Sequence, residues 1–348
     1  MIELGISTFG ETTEIEGTGV APKHDQRIRD MIEEMKLADE VGLDVYAIGE
    51  HHREDFAVSA PEILLAAGAS VTKNIRLSSA VTVLSSADPV RVYQQYATID
   101  AISNGRSEVM VGRGSFTESF PLFGYDLADY EELFDEKLEM LDKIKNNEKL
   151  TWEGKHTQSV LDKGVYPRAI QEDFPIWVAT GGNVESTVKI AQKGFPIAYA
   201  IIGGEYRRFK VLVDYYKAVG RNAGYSDDKL KVASHSWGFI ADTDEEAIKK
   251  YFHPTKQVVD AISKDRLFWR PLTFEQYLNS VGPEGSMLVG SPETVANKLI
   301  DMIETLDLDR FLLHLPLGSM PHEDIMKAIK LFGEEVAPIV RAHFNKSK

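Results

Sequence analysis

The stretch 75–114 limits what this chain can fold into more than any other. It reads IRLSSAVTVLSSADPVRVYQQYATIDAISNGRSEVMVGRG. Small polar and β-branched residues alternate over 77–84, and Ser85-Ser86-Ala87-Asp88-Pro89 then breaks the pattern, so a strand ends there in a loop. After Pro89, Val92, Tyr96, Ile99 and Ile102 recur at helical spacing and predict one buried helix face. Asn104-Gly105 stops that helix, and 107–111 returns as a second strand. A strand, a helix and a strand in that order form a crossover, and crossovers join parallel strands. At the end of the second strand, Gly112 and Gly114 flank Arg113. Two residues without Cβ let the backbone come close to a ligand, and the guanidinium between them can fork onto an anion.

The rest of the chain repeats this unit. Strands are expected at 3–9, 44–49, 175–179, 197–202, 230–240 and 310–315, which with 77–84 and 107–111 makes eight. Helical patterns fill 26–41, 61–73, 130–147, 184–193, 205–222, 292–306 and 321–344, and Ser291-Pro292-Glu293 supplies an N-cap, a first-position proline and a first-turn acid. The segment 151–171 reads as a hairpin. The segment 243–290 reads as irregular beyond a short helix at 244–251. With no Ser/Gly-rich linker between the units, the expected class is α/β and the expected fold a single (β/α)8 TIM barrel over 1–348. A doubly wound open sheet is the rival, but it carries its glycine fingerprint after the first strand, and 10–19 holds no G-x-G-x-x-G.

Composition narrows the function classes. The net charge of −15 opposes both nucleic acid and an anionic membrane as partners. No apolar run approaches the ~20 residues that span a bilayer. The absence of Cys removes disulfides, thiolate ligands and a Cys nucleophile. The first residues lead into a strand without a basic region, and a cytoplasmic location is expected.

A barrel builds its site at the C-terminal ends of its strands. The candidates there are Ser7, Thr8, Glu50-His51-His52, Thr82, Ser85, Arg113, Thr180-Gly181-Gly182-Asn183, Gly203-Gly204, His235 and the loop 315–320. Glu50-His51-His52 reads as an acid/base group at a cleft or as a histidine capping a loop. Adjacent residues of an extended chain face opposite sides, so the two histidines are not a simple chelate, and no metal site is assigned. Thr180 to Asn183 offers free N–H groups at the positive end of a helix, a seat for phosphate, although a Gly-Gly turn is also an ordinary connection. Arg113 either joins that seat or forms a salt bridge at the rim, and His235 is either a site residue or a satisfied core histidine.

Taken together, these motifs resemble the luciferase-like flavin-dependent monooxygenase family. The resemblance rests on AVTVL with SSADPVRVYQQYATIDAISNGR and VGRG, on GEHH, on VATGGN, on VGSPETVANKL and on FGEEVAPIV, in that order along the whole chain. It implies a homodimeric barrel that binds FMN. Arg113 and the backbone around Thr180, Gly181, Gly182, Asn183 and Gly203 would then hold the flavin, with Ala80, Val81 and Thr82 against its ring and a non-prolyl cis peptide at Ala80-Val81. His51 would face the reactive side, oriented by Glu50 or His52, beneath a lid at 251–284. The implied reaction passes oxygen from O2 to a small, fairly apolar substrate, using reduced flavin from a nicotinamide cofactor or a flavin reductase. Members that use the deazaflavin F420 share the barrel, so F420-dependent hydride transfer is an alternative, as is a non-catalytic flavin-binding barrel. Bacterial luciferase itself has an acidic residue and a serine where this chain has Thr180-Gly181.

Overall fold

The strands are short, apolar and buried on both faces, as parallel strands covered by helices must be. The computed structural model describes residues 2–114, 116–265 and 269–346. The chain begins with β1 (Glu3–Thr8), β2 (Val45–Ile48), β3 (Arg76–Ser79), β4 (Thr82–Val83) and β5 (Val109–Gly112). An antiparallel hairpin of β6 (Lys149–Trp152) and β7 (Val160–Gly164) stands apart, as expected for 151–171. Then come β8 (Ile176–Thr180), β9 (Ile197–Ala200), β10 (Val232–Ile240), β11 (Leu288–Gly290) and β12 (Arg310–His314). The large sheet runs β3-β2-β1-β12-β10-β9-β8-β5-β4, with β11 against β10. Every pairing in it is parallel.

β3 and β4 are two halves of one strand position, interrupted at Ala80-Val81, whose peptide bond is cis. The ring closes through both halves, because Leu77 bridges to Ser107 and Thr82 pairs with Val111. Eight strand positions therefore form the expected (β/α)8 barrel. Alternation along the strands separates two cores. Val45, Ala47, Met110, Trp177, Ala198 and Leu312 belong to the barrel interior, while Tyr46 and Ile48 join the larger core under the helices.

The helices surround this ring: α1 (His24–Glu40), α2 (Pro61–Val71), α3 (Pro89–Ser103), short α4 (Ser119–Phe123), α5 (Tyr130–Asn146), α6 (Val184–Lys193), α7 (Lys210–Asn222), α8 (Asp244–Asp265), α9 (Phe274–Val281), α10 (Pro292–Leu306), α11 (His322–Leu331) and α12 (Ala337–Lys346). Local chemistry sets their ends. Asp88 accepts hydrogen bonds from the N–H groups of Val90 and Arg91 at the start of α3, and Asn104 closes that helix at φ 55°.

The segment 243–290 departs from the sequence expectation. It is largely helical, with α8 passing through Pro254 instead of stopping near Tyr251. Tyr251 is fully buried and stacks on Phe239 at 5.7 Å, and Thr255 Oγ1 donates to the Tyr251 carbonyl at 2.6 Å. Tertiary burial thus carries the helix past a residue that lacks an N–H donor. Residues 266–268 of the candidate lid lie outside the described residues. Beyond them, the Trp269 ring packs 6.0 Å from Trp237 at the barrel mouth.

Candidate functional site

The C-terminal ends of the strands enclose a cavity of about 310 Å³. Its walls are mostly small or apolar, with Ala80, Val81, Met110, Ala179 and Ala198 facing it. Gly112 is there because Val81 leaves no room: a Cβ at Gly112 would come within 2.9 Å of the valine methyl. Thus Ala80-Val81 and Gly112-Arg113-Gly114 pack side by side along one wall.

Glu50 and His51 both line the cavity, and His52 does not. The His51 ring lies 4.3 Å from Phe56, nearly parallel to it, and edge-on to Phe9 at 4.7 Å. Its Nδ1 is 3.6 Å from the Glu118 carboxylate. Burial raises the Glu118 carboxyl, but contacts with His51 and the His52 N–H outweigh it and hold the group below its usual range. His52 turns the other way, and its Nε2 meets Glu50 Oε1 at 2.7 Å. That hydrogen bond raises the His52 imidazolium above its ordinary value against the opposing effect of burial. Glu50 Oε2 also accepts from the Val83 N–H at 2.8 Å, so one carboxylate ties the end of β2 to β4.

Arg113 reaches the opposite end of the cavity. It pairs with Glu131 and donates to Ser186 Oγ at 2.7 Å, within the first turn of α6. Thr180 and Gly181 line the same end, and the position a Cβ would take at Gly181 is open. A guanidinium held by a first-turn serine and the backbone leading into α6 therefore stand beside open space, donors that suit an anion. Glu131 offsets the Arg113 charge, but its side chain is 58% exposed and free to swing into solvent.

Other sequence candidates turn away. The Thr82 hydroxyl lies 3.0 Å from Tyr96 Oη behind the wall. Gly182, at φ 97°, packs toward Phe209, and the Asn183 side chain caps α6 by accepting from the Ser186 N–H at 3.1 Å. Gly203 is exposed in the loop after β9 and does not line the cavity. A place at a strand end or in the loop beyond it brings each of these residues near the mouth but does not fix its direction. Among the described residues, Asp129, Glu132 and His156 have ligand atoms within 4.8 Å of one another. None of the three lines the cavity, and Lys155 already pairs with Glu132 at 2.5 Å.

Sequence reasoning missed a second polar group in the cavity. His314, the last residue of β12, lines it together with His235 from β10. Ser7 Oγ lies between them, 3.5 Å from His235 Nδ1 and 3.3 Å from His314 Nδ1. On its far side, His314 Nε2 meets Glu11 Oε1 at 2.9 Å. Burial, then His314 and the Arg310 charge, lower the His235 imidazolium to about 3, so this ring is neutral at ordinary pH. His235 Nε2 is enclosed and has no hydrogen-bond partner among the described residues. His235 thus lines the cavity, and its ring is not satisfied by partners among the described residues. The available signal for His314 was its place at the end of a strand, the same place that drew attention to His51.

A sequence profile of luciferase-like monooxygenases matches residues 2–308. The chain belongs to the luciferase-like monooxygenase family. It is 27% identical over 301 residues to the N-acetyl-S-alkylcysteine monooxygenase of Bacillus subtilis (strain 168), covering 82% of this chain and 85% of that relative. Solved structures share its fold. A monooxygenase from Streptomyces bottropensis aligns with a TM-score of 0.84 at 21% identity, covering 97% of this chain and 99% of the other. The oxygenating constituent of 3,6-diketocamphane monooxygenase from Pseudomonas putida, solved with FMN, gives 0.74 at 21% identity over 97% and 98% of the chains. An F420-dependent secondary alcohol dehydrogenase gives 0.76 at 16% identity over 98% and 99%. The chain is therefore an enzyme of a family whose fold serves both FMN and F420 in its relatives. No helix among the described residues is long and apolar enough to cross a membrane.

Proposed function

We propose that this enzyme binds FMN in the barrel mouth and, with the flavin reduced, uses O2 to oxygenate a small, fairly apolar organic substrate. One observation carries the reading. Arg113, held by the Ser186 hydroxyl, and Gly181 stand at one end of a trough walled by Ala80, Val81, Met110, Ala179 and Ala198, with histidines along its polar side. A phosphate on a flat aromatic ring needs that combination of charge at one end and apolar contact along the rest. When bound, reduced FMN supplies the electrons that let O2 react, and the protein supplies position and dryness.

The chain's own residues take the following parts. Arg113, freed from Glu131, and the N–H groups around Gly181 hold the phosphate. Ala80 and Val81 form the wall on which the ring lies, held in place by the Glu50 bond to Val83. His51, clasped by Phe9, Phe56 and Phe116, presents a polar edge to the reacting side and can hold or pass a proton there. The 251–284 segment, meeting the mouth at Trp269, excludes water as a lid. A flavin reductase or a nicotinamide cofactor supplies the reducing equivalents, and the enzyme works as a cytoplasmic homodimer.

Calorimetric titration of the purified protein with FMN, reduced FMN and F420 at fixed salt tests this. Saturable one-to-one binding of FMN or reduced FMN is expected, followed by O2 uptake coupled to substrate turnover once a reductase is added. Binding of F420 in preference to both flavins overturns the oxygenase reading in favour of hydride transfer.

A further inference from the structure

Between the loops that follow β1 and β12 and the helices α1 and α11 lies a second cavity of about 290 Å³. Glu11, Ile15, Arg27, Met320 and His322 are among its lining residues. Glu11 therefore faces this cavity while its carboxylate reaches His314, which lines the first. The two cavities are joined by an unbroken polar chain: His235, Ser7, His314 and Glu11. Ser7, His314 and Glu11 are each almost wholly buried. We propose that this chain is a proton relay, carrying protons between the substrate cavity and the second cavity without opening the first to water.

The contacts fix the direction of every hydrogen. A Glu11 carboxylate can only accept, so His314 carries its proton on Nε2 and leaves Nδ1 bare. Ser7 then donates to His314 Nδ1 and accepts from His235 Nδ1, and the bare nitrogen of His235 is Nε2. That is the ring nitrogen with no partner among the described residues. When a group in the first cavity gives a proton to His235 Nε2, the Nδ1 proton passes to Ser7. The Ser7 proton passes to His314 Nδ1, and the His314 Nε2 proton passes to Glu11, which releases it to the second cavity. One proton enters and one leaves, and each group ends neutral or as it began. Return of a proton by the reverse route resets the tautomers.

This sequence never requires a charged His235, in keeping with the burial that disfavours its imidazolium. The surroundings leave Glu11 available. Arg27, which lines the second cavity with Glu11, is bound by Glu34, with Nη1 to Oε1 at 2.5 Å and Nη2 to Oε2 at 3.2 Å. Tyr46 and His322 also engage Glu34, at 2.9 and 3.5 Å. Among the described residues, only the Thr8 hydroxyl, 3.3 Å away, shares the second oxygen of Glu11. The Phe9 ring covers His314 at 4.3 Å and keeps water from the middle of the chain. The spans of 3.3 and 3.5 Å at Ser7 are long, as proton-transfer contacts commonly are before a ligand closes the site.

Solution NMR of the full chain carrying 15N-labelled histidine tests the relay without any cofactor. Its failure leaves the flavin reading standing, and failure of FMN binding leaves the relay testable. In the wild type, His235 is expected to carry its proton on Nδ1 and His314 on Nε2. Glu11→Gln keeps a hydrogen bond but cannot take up a proton, and Ser7→Ala removes the bridge. Each should slow solvent exchange of the His235 ring N–H by about 100-fold, the scale of a positioned acid/base group. Ser7→Thr, which restores the hydroxyl, should return the rate to within a few-fold of wild type. A His235 proton on Nε2 in the wild type overturns the proposal, and that spectrum decides the matter even if a variant fails to fold. Exchange unchanged in both Glu11→Gln and Ser7→Ala, with amide spectra showing intact folds, overturns it as well.

Discussion

The two ends of the barrel treat their buried polar groups in opposite ways. At the N-terminal end, the Arg310 guanidinium grips Glu108 through both nitrogens, the second at 3.0 Å, and reaches Glu3 at 2.7 Å. It also lies over the Trp177 ring at 4.4 Å. Arg310 and Glu108 are both buried, and each charge finds its partner within the chain. At the C-terminal end, His235 Nε2 is left without a partner among the described residues, and Arg113 holds a half-exposed glutamate. A buried charge pair with complete hydrogen bonding closes a structure. Polar groups left short of partners, at a cost of about 1–3 kcal/mol each, mark the place where something else is meant to bind. The lower end serves stability and the upper end recognition.

The largest expected effect lies at the closed end. Arg310→Met strips Glu108 of its two-pronged partner and leaves it only the longer ion pair with Arg76 at 3.6 Å among the described residues, so unfolding free energy should fall by about 3–5 kcal/mol in urea denaturation. A loss below about 1 kcal/mol would erase the distinction between the two ends. Next is Gly112→Ala at the mouth, where the new methyl meets the Val81 side chain at 2.9 Å. About 1–3 kcal/mol of stability should be lost to overpacking, together with weaker flavin binding as the Val81 wall shifts. Binding unchanged in a folded variant would show that this wall does not touch the ligand.

The smallest effect comes from pH. The His52 imidazolium is raised by Glu50, so its contribution is complete below the unfolded value of about 6.5 and is lost as pH climbs through the higher folded value. The stability advantage of wild type over Glu50→Gln should therefore shrink between about pH 6 and pH 9 in parallel denaturation curves. An advantage that grows over that range would mean that Glu50 acts mainly through Val83 and not through His52.

How much of this was written in the sequence depends on what each part of the site requires. The barrel follows from alternation and helical spacing, which are local, and the unit at 75–114 already displays its handed repeat. The position of Arg113 between two glycines at a strand end was equally plain. Direction was not: Thr82, Asn183 and His52 sit at the right depth but face a tyrosine, a helix end and a carboxylate. Long-range pairing was harder still. Glu11 and His314 are 303 residues apart and meet only because the first and last strands are neighbours in the closed ring. The course of α8 was hidden by Pro254, since burial of Tyr251 against Phe239 is a tertiary effect that propensity does not carry. β11 spans only Leu288–Gly290 and leaves too short a pattern to read.

The measurement that bears most directly on the recognition end is the ratio of FMN to riboflavin affinity in wild type and in Arg113→Ala. The two ligands differ by the phosphate alone. Arg113 is partly exposed, so its removal should move unfolding free energy by no more than about 0.5 kcal/mol while leaving the ring pocket intact. Wild type should favour FMN over riboflavin by about 10- to 100-fold, the worth of charge-assisted hydrogen bonds to an anion, and the variant should bind both about equally. A preference for FMN that survives in a folded Arg113→Ala protein would contradict the seat assigned to Arg113, Ser186 and Gly181.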